Sequence, residues 1–141
     1  MPVGLQLARA SKTVGRAFNA ALADAGGSLP VWLILSSLRS ATWPSQLELA
    51  QALGIEGATL TRHLDGLEAA GLVRRARDPD DRRAVQVELT DDGAALHGRL
   101  LDVVIRFNRR LLAGLTETEL DELRLVLDRL ERNARETTEP R

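Results

Sequence analysis

Apolar positions in this chain recur at helical spacing almost throughout, and they alternate strictly only in the few residues before Thr90. Leu7, Ala10, Val14, Ala17, Phe18, Ala21 and Ala25 draw a stripe of mostly small residues that predicts a first helix over 5–25, broken by Gly26-Gly27. Ser28 as N-cap, with Pro30 tolerated in the first turn, opens a second helix to Leu38. Val31, Trp32, Leu33, Ile34 and Leu35 make that helix apolar nearly all round, which predicts a central element. After the extended link Trp43-Pro44, Ser45 and Glu48 have the spacing of a capping box. The third helix then shows Leu47, Ala50 and Leu53 as its stripe and closes at Gly54. A tight turn follows, and Leu60, Leu64 and Leu67 define the inward face of a fourth helix closed by Gly71. Two short helices joined by so brief a turn predict a helix-turn-helix.

The period then changes. Leu72 to Arg77 forms one extended run and Ala84 to Leu89 another, with Val85, Val87 and Leu89 alternating with Gln86 and Glu88 as in a strand with one buried face. Between them, Asp78-Pro79-Asp80-Asp81-Arg82-Arg83 predicts a turn with a charged tip, so the two runs form a hairpin. Thr90 caps a long helix from Asp91 to about Leu112, with Asp91 and Asp92 at its positive end. Its apolar residues cover two faces, Leu96, Leu100, Val104, Phe107 and Leu111 on one and Leu101, Ile105 and Leu112 on the other. Gly114 ends it. Thr116 and Glu119 form a second capping box before a last helix with Leu120, Leu123, Leu127 and Leu130, and the polar tail beyond Asn133 is expected to fray. The predicted fold class is mainly α with a small β-hairpin wing (α+β), a winged helix-turn-helix flanked by terminal helices.

The segment GLVRRARDPDDRRAVQVELTDDG carries a D-x-R core (Asp81, Arg83) followed by V-x-L-T (Val87, Leu89, Thr90). With the order of elements, it resembles the MarR family of winged-helix bacterial transcription regulators. The resemblance spans roughly Ser28 to Gly93; the flanking helices match in position and length but carry no family-specific residues. It implies a homodimer on pseudo-palindromic double-stranded DNA, often released by a small molecule. On this reading residues 28–90 form the DNA-binding region and residues 1–27 and 91–141 the dimerisation helices of a single domain. The two-faced long helix supports the dimer independently, because a helix wet on one side needs only one apolar face.

Composition narrows the reading. A chain of 141 residues can bury a core. The absence of cysteine removes disulfides, thiolate metal sites and the thiol-based peroxide sensing found in some members of the resembled family. No apolar run approaches the roughly 20 residues of a membrane span and the N-terminus lacks a signal-peptide layout, so the expectation is a cytoplasmic protein without membrane contact, at the bacterial nucleoid when bound to DNA. The net charge of -1 does not announce a nucleic-acid partner. Placement does: five of the six arginines in residues 45–90 lie between Arg74 and Arg83, a local ridge able to meet phosphates on a nearly neutral molecule.

On the fourth helix, Ala58, Arg62, Asp65 and Ala69 lie opposite the leucines, with Thr59 and Thr61 on the flanks, at about 100° per residue. The N-terminal half of a recognition helix meets base edges, which nominates Ala58, Thr59, Thr61 and Arg62. The Arg62 fork suits guanine O6 and N7; the alternatives are a phosphate contact or a free surface arginine. At the wing, the resemblance implies that Arg83 enters the minor groove while Asp81 steadies the arginines around it and Arg82 tracks the backbone. A narrow minor groove attracts arginine, in agreement. Ser45, Arg74, Arg75 and Arg77 are further candidates for the DNA backbone. Where the family binds small aromatic acids, between the dimer helices and the winged domain, Arg16, Phe18, Trp32 and Phe107 are the candidates to line a ligand site; each is more simply read as core or surface.

Enzyme chemistry finds no support. His63 and His97 show no metal-ligand spacing, no glycine-rich phosphate loop follows a strand, and G-x-S-x-G is absent. No metal or cofactor is expected, and His97 is read as an exposed position on its helix. Two functional classes remain, a ligand-responsive DNA-binding repressor and a winged-helix protein–protein adaptor that has lost DNA binding. The arginines on helix and wing favour the first.

Overall fold

A computed structural model describes residues 1–77, 79–80 and 85–138. Element order is α1 (Val3–Asp24), α2 (Leu29–Ser40), α3 (Gln46–Leu53), α4 (Gly57–Ala69), β1 (Val73–Arg77), β2 (Val85–Leu89), α5 (Asp91–Leu111) and α6 (Glu117–Thr138). The chain forms two compact units, Met1–Phe107 and Asn108–Arg141.

Local chemistry sets the boundaries in the first unit. Ser28 Oγ accepts the Val31 N–H at 3.2 Å and Ser45 Oγ accepts the Glu48 N–H at 3.2 Å, so both expected N-caps are in place. Asn19 Oδ1 accepts the Leu29 N–H, tying the end of α1 to the start of α2. The Trp43 indole N–H donates to the Ser37 carbonyl and holds the link against the end of α2. Gly54 ends α3 in the left-handed conformation, φ 68°, where a side chain would be strained. The resulting chain reversal is what lets α4 follow α3 so closely.

One core runs through this unit. Leu22 of α1, Ile34 and Leu35 of α2, Leu49 and Ala50 of α3, Leu60, Leu64 and Leu67 of α4, Val73 of β1, and Leu96, Leu100 and Val103 of α5 are buried together, with Val87 and Leu89 of β2 packed against them. Thus α4 buries the three leucines the pattern assigned to it. Two expectations are corrected. Leu47 is 64% exposed, and the buried face of α3 is Leu49 and Ala50. Leu49, Ala50 and Leu53 fall within an arc of about 100°, from which Leu47 points away. Helix α2 is central on one side only, since Leu33 remains 43% exposed.

The hairpin is antiparallel, with Val73 opposite Leu89 and Arg77 opposite Val85. At its base the Thr90 N–H donates to the Leu72 carbonyl at 3.1 Å, its hydroxyl donates to the Gly71 carbonyl at 2.6 Å, and that hydroxyl accepts the Gly93 N–H at 3.1 Å. The N-cap of α5 is thereby also the staple of the hairpin.

In the second unit, Thr116 Oγ1 accepts the Glu119 N–H at 3.1 Å and α6 begins as expected. The helix does not fray at Asn133; it continues to Thr138, supported by an Arg135–Glu131 ion pair one turn apart. No residue of α6 is buried, and Leu123, Leu125, Val126 and Leu127 are exposed. In the first unit, Val3, Leu5 and Leu7 of α1 and Leu101 and Ile105 of α5 are exposed as well.

A Cβ at position 93 would lie 2.0 Å from the Leu72 carbonyl oxygen, an atom already fixed by its bond to Thr90. A Cβ at position 98, on the same helix, meets nothing within 4 Å. Gly93→Ala is therefore expected to destabilise the fold by about 1–3 kcal/mol or more, whereas Gly98→Ala adds roughly 0.5–1 kcal/mol. Urea denaturation of the two variants at one protein concentration measures the contrast; equal midpoints would show that the junction tolerates a side chain.

Candidate nucleic-acid interface

The inner face of α4 is locked by its three buried leucines, which turns Ala58 and Arg62 outward as exposed residues and leaves Thr59 and Thr61 half-buried on the flanks. Thr61 Oγ1 donates back to the Gly57 carbonyl at 3.0 Å, so its hydroxyl hydrogen is taken up within the helix. Thr59 and His63 border an apolar cavity of about 180 Å³ lined also by Leu29, Pro30, Leu33, Ile34, Leu53 and Ile55. His63 is thus a boundary residue, as its position beside the leucine face suggested. Gly57 and Ala58 keep the start of α4 free of bulk.

Beside α4 stands β1. Val73 is buried, and Arg75, on the same strand face two residues on, reaches the exposed carboxylates of α4. Its guanidinium lies 2.6 Å from Asp65 and 3.0 Å from Glu68, and its backbone N–H donates to the second oxygen of Glu68 at 2.9 Å. The side-chain and then the backbone hydrogen bond from Arg75 hold the Glu68 carboxyl below its usual range, and the side-chain bonds to Glu68 and then to Asp65 raise the Arg75 guanidinium. Arg74 and Arg77 are exposed. Ser45 caps α3 at its N-terminus. The wing residues Asp81, Arg82 and Arg83 lie outside the described residues.

The four candidates for a ligand site are placed as follows. Phe18 and Phe107 pack together with ring centroids 4.5 Å apart, tilted by 51°. Trp32 stacks on His97 at 4.9 Å and 16°. Arg16 is exposed. His97 is therefore not the exposed residue the pattern suggested: α5 carries it against α2, and the aromatic partner is a tertiary contact that spacing along one helix does not reveal. Burial first, and then the nearby charge of Arg39, lower its pKa. Among the described residues no group of three or more His, Cys, Asp or Glu side chains is gathered as a metal site, and no single helix is long and apolar enough to cross a membrane.

A helix-turn-helix whose second helix presents a small, arginine-bearing outer face, with a hairpin anchored at its flank, defines the winged-helix class of DNA-binding proteins. Comparison with known proteins identifies the branch. The MarR family model matches residues 28–85. The regulator PecS of Dickeya dadantii is 35% identical over 130 residues, spanning 90% of this chain and 78% of PecS. TtmR of Methylorubrum extorquens is 38% identical over 121 residues, 86% of this chain and 60% of TtmR. The structure of the transcriptional repressor CouR bound to a 23-mer DNA duplex superposes with a TM-score of 0.86 at 31% identity, covering 92% of each chain. The chain belongs to the MarR family of winged-helix transcriptional regulators.

The His97 environment has a pH signature. Its ordinary pKa of 6.5 is lowered in the folded protein, so the unfolded chain takes up the proton more readily. Stability is accordingly full above that ordinary value and falls as pH drops through and below it, until the folded pKa is passed. His97→Phe retains an aromatic partner for Trp32 without the titration. Denaturation midpoints between about pH 7 and 5 are expected to fall less steeply in the variant than in the parent; parallel curves would show that the stacked histidine is not linked to folding.

Proposed function

We propose that this regulator represses transcription as a homodimer on a pseudo-palindromic operator. The observation that carries the reading is the outer face of α4, where Ala58 and Arg62 stand exposed on a helix whose opposite face is fixed in the core. Laid in the major groove, that face brings Ala58, Thr59 and Thr61 close to base edges and aims the Arg62 fork at guanine. Arg83 enters the adjacent minor groove with Asp81 steadying the tip and Arg82 along the backbone, while Ser45, Arg74 and Arg77 meet phosphates. The family relationship and the DNA-bound CouR neighbour support this assignment. The protein acts in the cytoplasm, at the nucleoid when bound.

A second copy covers the apolar surface that each unit leaves open. Leu125 is 70% exposed and Val3 is 70% exposed, on helices at the two ends of the chain. Exposed apolar surface on this scale marks an interface. Two copies related by a two-fold axis place their recognition helices on half-sites about 34–36 Å apart, one turn of DNA. A small aromatic ligand at the level of Phe18, Phe107, Trp32 and Arg16 releases the operator by changing the spacing between the two winged domains.

Two measurements test this. Sedimentation at micromolar concentration should give a dimer; a monomer would remove the two-fold operator model. Fluorescence anisotropy on the upstream intergenic DNA should show salt-steep binding at two protomers per site. Arg62→Ala should cost about 1–3 kcal/mol and relax preference at one base position. A loss uniform across sequences would reassign Arg62 to phosphate, and absence of salt-dependent binding to any duplex would favour a protein-binding adaptor.

A further inference from the structure

Two exposed carboxylates, Asp65 and Glu68, project from the helix proposed to enter DNA, where a negative charge should repel phosphate. Their partner explains them. Arg75, with its side chain only 21% exposed, is held by both, and Glu68 also accepts the Arg75 backbone N–H with its second oxygen. We propose that Asp65, Glu68 and Arg75 form a clasp that sets the inclination of the wing to the recognition helix, making Arg75 a positioning residue whose charge is spent inside the protein and not on phosphate. This rests on the DNA-binding reading above.

Val87 and Leu89 seat β2 on the core, and the clasp acts on the other strand. A two-stranded hairpin has little stability of its own, so its direction is set by what it touches. Val73 anchors the base of β1 by burial, but Arg77 at the far end of the strand is exposed. Between them, Arg75 stands opposite Val87 in the ladder. Its N–H points away from β2, outward from the edge of the sheet, and would be free for solvent or another strand. Glu68 takes that N–H and the guanidinium together, which fixes both the position and the rotation of the strand against α4. Asp65, one turn earlier, accepts from the same guanidinium nitrogen that Glu68 holds. These are charge-assisted bonds converging on one residue, stronger and more directional than an isolated surface pair. A wing already aligned with the recognition helix loses less freedom when major and minor grooves are engaged at once, and this is where the clasp contributes to affinity.

The sign of one substitution separates the clasp from the alternatives. Glu68→Gln removes a negative charge near DNA; simple electrostatics predicts tighter binding, and the clasp predicts weaker. Anisotropy on the upstream intergenic duplex across a salt series, with the parent, Glu68→Gln, Asp65→Asn and Arg75→Ala, is the experiment. The expected result is ~3- to 10-fold weaker binding for Glu68→Gln and Arg75→Ala, bounded by what a few charge-assisted bonds supply. The salt slope of Arg75→Ala should equal that of the parent, and the Glu68→Gln/Arg75→Ala double variant should bind no worse than either single one. Hydrogen exchange gives a readout without DNA: the Arg75 amide should lose protection in Glu68→Gln while the core amides of α4 keep theirs, which also certifies the fold. Parental or tighter binding by Glu68→Gln, or a salt slope reduced by about one in Arg75→Ala, would overturn the clasp and return Arg75 to phosphate contact. Failure of the parent itself to bind any duplex would remove the DNA-binding reading and the clasp with it.

Discussion

At the base of the hairpin, the carbonyls of Gly71 and Leu72 lie just beyond the C-terminus of α4, where helical partners have run out, and Thr90 supplies both with donors. The same hydroxyl accepts the Gly93 N–H and so starts α5. The end of the recognition helix, the foot of the wing and the start of α5 therefore share one hydrogen-bonded junction. It is closed on the remaining side by a backbone approach that admits no Cβ at Gly93. Sterics and hydrogen bonding act here together: the approach is tolerable because every polar group in it is paired, and the pairing is possible because nothing bulky intervenes. Any rotation of α5 must move the wing and α4 with it.

That rigidity gives meaning to the division of apolar surface along α5. Leu96, Leu100 and Val103 lie in the core of the first unit, while Leu101 and Ile105 on the other face are exposed. A side chain of leucine size gains about 1.5–3 kcal/mol on full burial, so a row of exposed ones represents association free energy held in reserve. The proposed dimer draws on it. If a second copy covers that face, the inner face of the same helix delivers the subunit spacing to the DNA-binding elements through the Thr90 junction. The tilted pair of Phe18 and Phe107 and the stacked pair of Trp32 and His97 line the route between α1 or α2 and α5.

Electrostatics are arranged locally in a molecule that is nearly neutral overall. Carboxylates on α4 would oppose DNA, yet those nearest the wing are matched to Arg75. Exposed Arg62, Arg74 and Arg77 are left to provide the positive field. Net charge therefore says little about partner choice here; what matters is which cations are consumed by internal partners and which remain at the surface.

Much of this was legible in the sequence because it rests on short-range chemistry. The N-caps at Ser28, Ser45 and Thr116, the left-handed stop at Gly54, the leucine face of α4 and the alternation in β2 each depend on residues within one or two turns of one another. They read directly as elements, and the order of elements as a winged helix. Where two faces of a helix carry apolar groups, local pattern is ambiguous, and so the spacing points Leu47 inward although Leu49 and Ala50 fill that space. Three features were decided only by tertiary structure: the Arg75 clasp across seven and ten residues, the stacking of His97 on Trp32, and the backbone approach that reserves position 93 for glycine. Each joins groups from different elements. Whether they meet depends on how the shared core sets the angles between those elements, a property of the packed whole that no periodicity along the chain contains.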